Sequence, residues 1–410
     1  MIKLQNQTKK GNGLGMSEFL RRRRMEMGIK MEELSDGVCS VSYLSRIENN
    51  VVDVSDNYYK ALFEKMNINY EMAKAERSKN LYEDLLRLYF KGEYEEIENI
   101  VNHALTSNCY CDIEIELLVL YYNIIKGNYD EARGTLLKLD GISSNFTNTE
   151  LIFYMYSFAL YAHKTNQNIK AYQQIMVLSK LEYNNTFIET VIYDLGISIM
   201  MSLWNIPFAY EFYYHFEKLA EMPLFGTNLY LHRLSLMTYT SRYTYQKEKL
   251  EDMAKNLNLD NVNVKEKYYY YKGLIMYLNQ DYDEVCDLLI NNMLSARITG
   301  LLICVVRHTS NYNMRQIIIK KLDQYCFTKH EKIYDDYYRY VKLLLEGNSS
   351  YVLYNYVKNI LLSVKNYYDG FLMQEIKKDY VEVCEGSSKY KEGIRYLKKE
   401  LDDGLIQKLK

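Results

Sequence analysis

Proline is nearly missing from this chain: in 410 residues only Pro207 and Pro223 occur. Since proline marks turns and strand edges, its scarcity favours mostly helical structure. Paired cysteine motifs are missing too. The seven cysteines, at 39, 109, 111, 286, 304, 326 and 384, include no CxxC and have no histidine cluster beside them, which argues against a zinc site. An odd, dispersed set reads as reduced thiols, and the expected location is cytoplasmic. No apolar run approaches the roughly 18 residues of a membrane span; "LLICVVRH" meets Arg307 after six residues. The first fifteen residues, "MIKLQNQTKKGNGLG", lack the apolar centre of a signal peptide and read as a flexible tail.

Catalytic signatures are also lacking. There is no phosphate-cradling glycine loop, no metal-spaced His/Cys set and no GxSxG. His103, His163, His215, His232, His308 and His330 are isolated on helical stretches, where packing or surface roles are the ordinary ones. The paired acids of "EYEEIE" and "DYDE" suit solvated faces and helix starts. The expectation is a protein that is not an enzyme and holds neither cofactor nor metal.

Net charge is small, at -2, so the chain as a whole is no polycation. Its distribution is uneven. Up to residue 52 the bases Lys3, Lys9, Lys10, Arg21, Arg22, Arg23, Arg24, Lys30 and Arg46 outnumber the acids Glu18, Glu26, Glu32, Glu33, Asp36 and Glu48. The amino-terminal end is therefore a candidate for nucleic-acid contact. Tyrosine is abundant, at 44 residues, but the count alone carries little functional weight.

The segment from Met16 parses into short helices. Met16, Leu20, Arg24 and Met27 fall on one helical stripe, and Gly28 stops the helix. A second helix spans about Met31 to Asp36 and ends at Gly37. Ser40 can cap a third, Val41 to Asn49, by accepting from first-turn amides. Two short helices joined by a glycine-containing turn describe a helix-turn-helix. The stretch "MEELSDGVCSVSYLSRIENN" followed by "YYKALFEKMNI" resembles the helix-turn-helix domains of the phage-repressor-like XRE family, with "S-x-I-E-N" at Ser45, Ile47, Glu48 and Asn49 closing the recognition helix. The second helix opens with Lys30-Met31 where many members carry Thr-Gln, so a glutamine contact to DNA is missing.

Helix position assigns the expected roles. The amino-terminal half of a recognition helix enters the major groove, which makes Val41, Ser42, Tyr43 and Arg46 the candidates for base edges or phosphates, with Ser40 and Asn49 at the helix ends. Arg46 either reads guanine with two parallel donors or neutralises a phosphate; Tyr43 either touches DNA or packs between helices. Lys30 can hold a phosphate. The four consecutive arginines step about 100° apart around α-helix, so they cannot form one patch. Arg21 and Arg22 are expected on phosphates or solvent, and Arg23 is unassigned. Arg24 faces the interior, where the XRE resemblance pairs it with Glu48 to tie the first helix to the third.

From Leu81 the pattern becomes repeated helix pairs. "FKGEYEEIENIV", "IKGNYDEARGTLL", "TNQNIKAYQQIM", "NIPFAYEFYYHF" and "LNQDYDEVCDLL" are read as sharing a small or polar pair, an aromatic or aliphatic residue, then a small or apolar residue three places on. Tyr94 and Tyr129 are about 35 residues apart, and Ala171 and Ala209 about 38, around the roughly 34-residue tetratricopeptide period. Single pairs cannot bury their apolar faces, so neighbours must stack. The expected fold is all-α: a flexible tail over 1–15, a helix-turn-helix domain over 16–72, and over 73–410 a right-handed superhelix of tetratricopeptide-like pairs.

This order of domains resembles the peptide-sensing RRNPP regulators of Gram-positive bacteria and their phages. The resemblance implies a quorum-sensing transcription regulator that binds operator DNA, holds a short signalling oligopeptide in the concave groove of its repeats, and forms a homodimer or tetramer. Concave-face candidates are Tyr122, Asn123, Tyr154, Tyr161, Tyr193, Tyr230, Arg233 and Tyr270, with inter-helix packing as the alternative role for each tyrosine. Three readings of the whole remain open here: the peptide-controlled regulator, a phage arbitrium-type lysis-lysogeny receptor, and a constitutive XRE repressor whose repeats bind a protein partner.

Overall fold

The computed structural model describes residues 15–240, 250–292, 295–328, 331–363 and 369–398. The expected tail over 1–15 thus lies outside the described residues but for Gly15, and His330 lies outside them as well. Every regular element described is helical. The chain divides into two compact units, Met1–Tyr161 and Ala162–Lys410. The boundary read from the sequence at residue 72 lies inside the first of these units.

Unit 1 opens with α1 (Met16–Glu26), α2 (Met31–Ser35), α3 (Val41–Glu48), α4 (Asp56–Lys65) and α5 (Tyr70–Ser78). Phe19, Leu20, Leu34, Leu44, Ile47, Leu62 and Phe63 converge in their shared core, each at most 1% exposed. The buried stripe of α1 is Ser17, Phe19 and Leu20. Met27, placed on that stripe by periodicity, is instead 44% exposed because α1 has ended before it. Gly28 and Gly37 both adopt the left-handed conformation, with φ of 66° and 69°, and reverse the chain after α1 and α2.

Helix pairs follow. In unit 1 these are α6 (Leu81–Lys91) with α7 (Tyr94–Thr106), and α8 (Asp112–Lys126) with α9 (Tyr129–Asp140); α10 (Asn148–Lys164) crosses into unit 2. Unit 2 continues with α11 (Asn168–Leu178), α12 (Thr186–Ser202), α13 (Ile206–Leu219), α14 (Met222–Thr240), α15 (Val262–Leu278), α16 (Tyr282–Leu289), α17 (Ala296–His308), α18 (Tyr312–Gln324), α19 (Lys332–Leu345), α20 (Ser350–Ser363) and α21 (Gly370–Gly386). Residues 250–254 and 390–398 are also helical.

One turn recurs between paired helices. A left-handed residue stands at Gly92, Gly127, Asn166, Trp204, Gln280, Gly347 and Ser388. The amide that follows each reaches back to a carbonyl five residues before it, as in Glu93 N to Leu88 O at 3.0 Å, Asn205 N to Met200 O at 2.9 Å and Lys389 N to Cys384 O at 2.8 Å. This six-to-one bond is the Schellman closure of a helix end, and it satisfies a carbonyl left over from the helix. In five of these turns the side chain five residues after the left-handed position is driven into the core: Ile97, Ala132, Ala171, Ala209 and Val285 are all 0% exposed, whereas Val352 after Gly347 is 42% exposed. Small residues let the helices close up. A Cβ on Gly196 would lie 2.2 Å from the Phe212 ring, and one on Gly300 would lie 2.5 Å from Tyr334.

Within unit 2 the last helices fold back. Gly370, at the start of α21, packs on the end of α12 so closely that a Cβ there would sit 2.6 Å from the Trp204 amide nitrogen. Tyrosine hydroxyls fix α21 along its length: Tyr334 donates to Asp369 (2.6 Å), Tyr277 to Glu375 (2.6 Å) and Tyr337 to Asp379 (2.8 Å). A buried carboxylate needs such donors, and this is one structural use of the tyrosines.

Candidate DNA-binding surface

The α2-turn-α3 element follows from local chemistry. Ser40 has extended backbone, and its Oγ accepts from Tyr43 N at 3.2 Å, capping the first turn of α3. Such a cap contributes about 1 kcal/mol. Leu44, Ile47 and Glu48 face inward. Val41, Ser42, Arg46 and Asn49 face out and are exposed. Tyr43 is half-buried, its ring edge-on to Tyr58 at 5.3 Å, so it braces α3 on α4. The Asn49 amide donates to Ser45 O at 2.8 Å. The Arg46 and Lys30 side chains are exposed and make no hydrogen bond or ion pair among the described residues.

Lys65 belongs to the same element. Its ammonium donates to the carbonyls of Glu33 (3.0 Å), Leu34 (3.4 Å) and Asp36 (2.5 Å). A cation at the carbonyl end of α2 complements the helix dipole and holds the turn. Nothing near Lys65 in the sequence signals this, since its partners lie about thirty residues earlier.

The four arginines go to four places. Arg21 is exposed and makes no ion pair or hydrogen bond among the described residues. Arg22, expected on phosphate or solvent, is committed elsewhere: it meets Glu150 with two nitrogens at 2.7 and 3.1 Å, Glu18 at 3.1 Å and the Asn145 carbonyl at 3.1 Å. Burial alone would lower the Arg22 pKa, but the bond and charge of Glu150 outweigh it and the group is held more firmly protonated. Arg23 pairs with Glu26 at 2.8 Å and approaches Asp112 at 3.5 Å. Arg24 meets Glu48 through Nε–Oε1 at 2.6 Å and Nη2–Oε2 at 2.9 Å, and also donates to Ile29 O at 3.0 Å.

Arg77 is a second buried fastener. It pairs with Glu114 at the start of α8, donates to Cys109 O at 3.0 Å and lays its guanidinium over Phe19 at 4.7 Å. Arg22 and Arg77 together join the helix-turn-helix helices to α8 and α10 inside unit 1.

The groove candidates separate into open and packed residues. Tyr122 and Asn123 in unit 1 are half-buried; Lys126 sits 5.3 Å from the Tyr122 ring, and Asn123 Oδ1 accepts from Asn128 at 3.3 Å. In unit 2, Tyr230 is half-buried and Arg233 exposed, with Arg233 bonded to Glu217 at 3.0 Å. The other four are buried against aromatic neighbours, in keeping with the packing role left open for each tyrosine. Tyr154 lies on Phe146, Tyr161 on Tyr129, Tyr193 on Phe212 and His215, and Tyr270 beside Tyr271, and each is at most 8% exposed. An aromatic ring at helical spacing gains more from filling an inter-helix gap than from facing water.

Among the described residues no group of His, Cys, Asp and Glu could hold a metal ion, and no helix is long and apolar enough to cross a membrane. No curated protein and no solved structure matches the chain. The helix-turn-helix family model matches residues 20–71, which comprise most of α1 and all of α2 to α4. The chain therefore carries at its amino-terminal end an XRE-type helix-turn-helix domain, a DNA-binding and non-catalytic module, ahead of many paired helices.

Proposed function

We propose that this protein is a transcription regulator that binds operator DNA through α3 and is controlled by a short signalling peptide held by its paired helices. The carrying observation is the division of labour among the arginines. Arg46 and Arg21, with Lys30, are exposed and uncommitted, while Arg22 and Arg77 fasten the same domain to the helix pairs. A domain that needed only to bind DNA would gain nothing from buried ion pairs to α8 and α10. Joined in this way, a change in the pairs is felt by the reading helix. The working state is a homodimer or tetramer, whose half-site spacing decides operator binding.

The test is a gel-shift titration on the DNA upstream of the gene, with and without the synthetic carboxy-terminal heptapeptide of any small secreted-peptide reading frame beside it. A change in DNA affinity or oligomeric state supports peptide control, and the adjacent genes distinguish a host regulator from a phage arbitrium-type receptor. Identical binding with and without peptide would favour the constitutive repressor whose repeats hold a protein partner.

A further inference from the structure

Two carboxylates in unit 1 serve two purposes each. Glu150 stands in the first turn of α10, where its Oε2 accepts from the Thr147 amide at 2.7 Å and its own amide donates back to Thr147 Oγ1 at 3.3 Å. Glu114 has the same place on α8: its Oε2 accepts from the Cys111 amide at 2.9 Å, and its amide donates to the Cys111 thiol. Each reciprocal pair is a capping box, which fixes the first turn of its helix. The helix-turn-helix domain grips both of these glutamates. Arg22 of α1 takes both oxygens of Glu150, and Arg77 of α5 takes Oε1 of Glu114. Both glutamate side chains are at most 5% exposed.

Further contacts join the same ends. Glu26 of α1 accepts from the amide of Asp112, the first residue of α8, at 2.9 Å. Arg22 and Arg77 also donate to the carbonyls of Asn145 and Cys109, just ahead of α10 and α8, at 3.1 and 3.0 Å. The domain is thus seated on the first turns of two groove-side helices, while only Lys79 and Asn80 separate α5 from α6. A link of two residues holds four soft dihedrals and would act as a pivot by itself. The grips on α8 and α10 stop it from turning. Because they lie on different helix pairs, both close at only one separation of the two helix starts; a change in that separation forces the domain to tilt or to let one grip go.

This seating leaves the reading face bare. Val41, Ser42, Arg46 and Asn49 of α3, together with Lys30 and Arg21, are exposed while Arg22 and Arg77 are engaged. Among the described residues no hydrogen bond, ion pair or ring contact joins α3 to a helix after α4.

We infer that the two capping glutamates form a clamp that makes the helix-turn-helix a rigid extension of α8 and α10: the domain binds DNA while docked, and control works by tilting the docked domain, which alters half-site spacing, and not by unmasking α3. This rests on the DNA-binding regulator reading above.

The experiment uses the full chain. Selection from random-sequence duplexes first defines the half-site, and fluorescence anisotropy then measures affinity for one half-site and for two half-sites stepped by single base pairs around one helical turn. The clamp is opened with R22M/E150Q and with R77M/E114Q, which remove each pair without stranding a buried charge; the glutamine oxygen still accepts the capping amide. Single-half-site affinity should stay within about twofold of wild type, whereas affinity at the best spacing should fall about tenfold and the spacing optimum should flatten, because a loosely tethered domain has a lower effective concentration at the second half-site. Should either double variant fail to fold, R22K keeps the charge, loses the second prong and gives the same comparison at smaller amplitude. A rise in single-half-site affinity on opening the clamp would mean that docking masks α3, and would overturn the inference while leaving the regulator reading intact. So would a spacing profile identical to wild type in the variants, or a wild type without any spacing optimum. If the full chain enriches no sequence at all, the regulator reading itself falls, and the clamp's role in control with it.

Discussion

Arg24 and Glu48 face each other across the helix-turn-helix core in a two-pronged ion pair, with the Glu48 side chain 1% exposed. The bond to Glu48 is the main reason that the Arg24 guanidinium is held more firmly protonated than usual. Removing either partner leaves a buried charge alone, at a cost of about 3 kcal/mol. Arg24→Ala is therefore expected to lower the urea midpoint of the domain, and a midpoint equal to wild type would refute the structural role.

Arg46 and Arg21 test the DNA-facing assignment from the opposite side. Both are exposed and uncommitted, so alanine at either should leave the melting curve unchanged. If Arg46 reads guanine, its loss weakens operator binding by about 1–3 kcal/mol and relaxes sequence preference at one position. A uniform weakening across all sequences, with a shallower salt dependence, would assign it to phosphate.

Arg22 gives a sharper separation. With Glu150 on α10 as its main partner, Arg22→Ala should leave DNA contacts intact yet loosen α1 from the following helices. Amide hydrogen exchange in α1 and at the start of α10 should rise, whereas Arg21→Ala should leave it unchanged. Unaltered exchange in the Arg22 variant would show that this pair does not fasten the domain.

His163 makes stability depend on pH in a definite direction. Burial, followed by the Arg297 charge, lowers its pKa well below 6.5 in the folded protein. The unfolded chain therefore binds the proton first. The contribution is fully present above pH 6.5 and declines as pH falls below that value. Urea midpoints at pH 7.5 and 5.5 should differ for wild type, and the difference should shrink in His163→Gln; an equal difference would rule His163 out as the cause.

The recurrent left-handed turns predict opposite effects for two substitutions. Gly127→Ala puts a Cβ at φ 84° and should cost about 1 kcal/mol, although no atom obstructs it. Gln280→Gly relieves the same strain at φ 67° on an exposed side chain and should stabilise by a few tenths to about 1 kcal/mol. Thermal melts of the two variants that moved in the same direction would contradict the account.

The sequence was readable where local chemistry decides structure. Gly28, Gly37 and the Ser40 cap mark the ends of α1 to α3 within a residue or two, because each acts on its own neighbours. Turns at Gly92 and Gly127 are equally plain. The same conformation at Trp204 and Gln280 is not, since those residues rarely adopt it and the packing of the pair imposes it. Distance in sequence hid the rest. Arg22 finds Glu150 128 residues away, and Arg77 finds Glu114 37 residues away. For the tyrosines the same holds: helical periodicity selects a face, but only the neighbouring helix decides whether that face is covered.

Trp204 carries a practical consequence. It is the one tryptophan in the chain, and it sits at a left-handed turn with its ring 5.8 Å from Phe371. The protein is thus built with a single intrinsic fluorophore where the end of α12 meets the start of α21, so the packing of that joint can be followed by emission wavelength and quenching in the native chain, without a label.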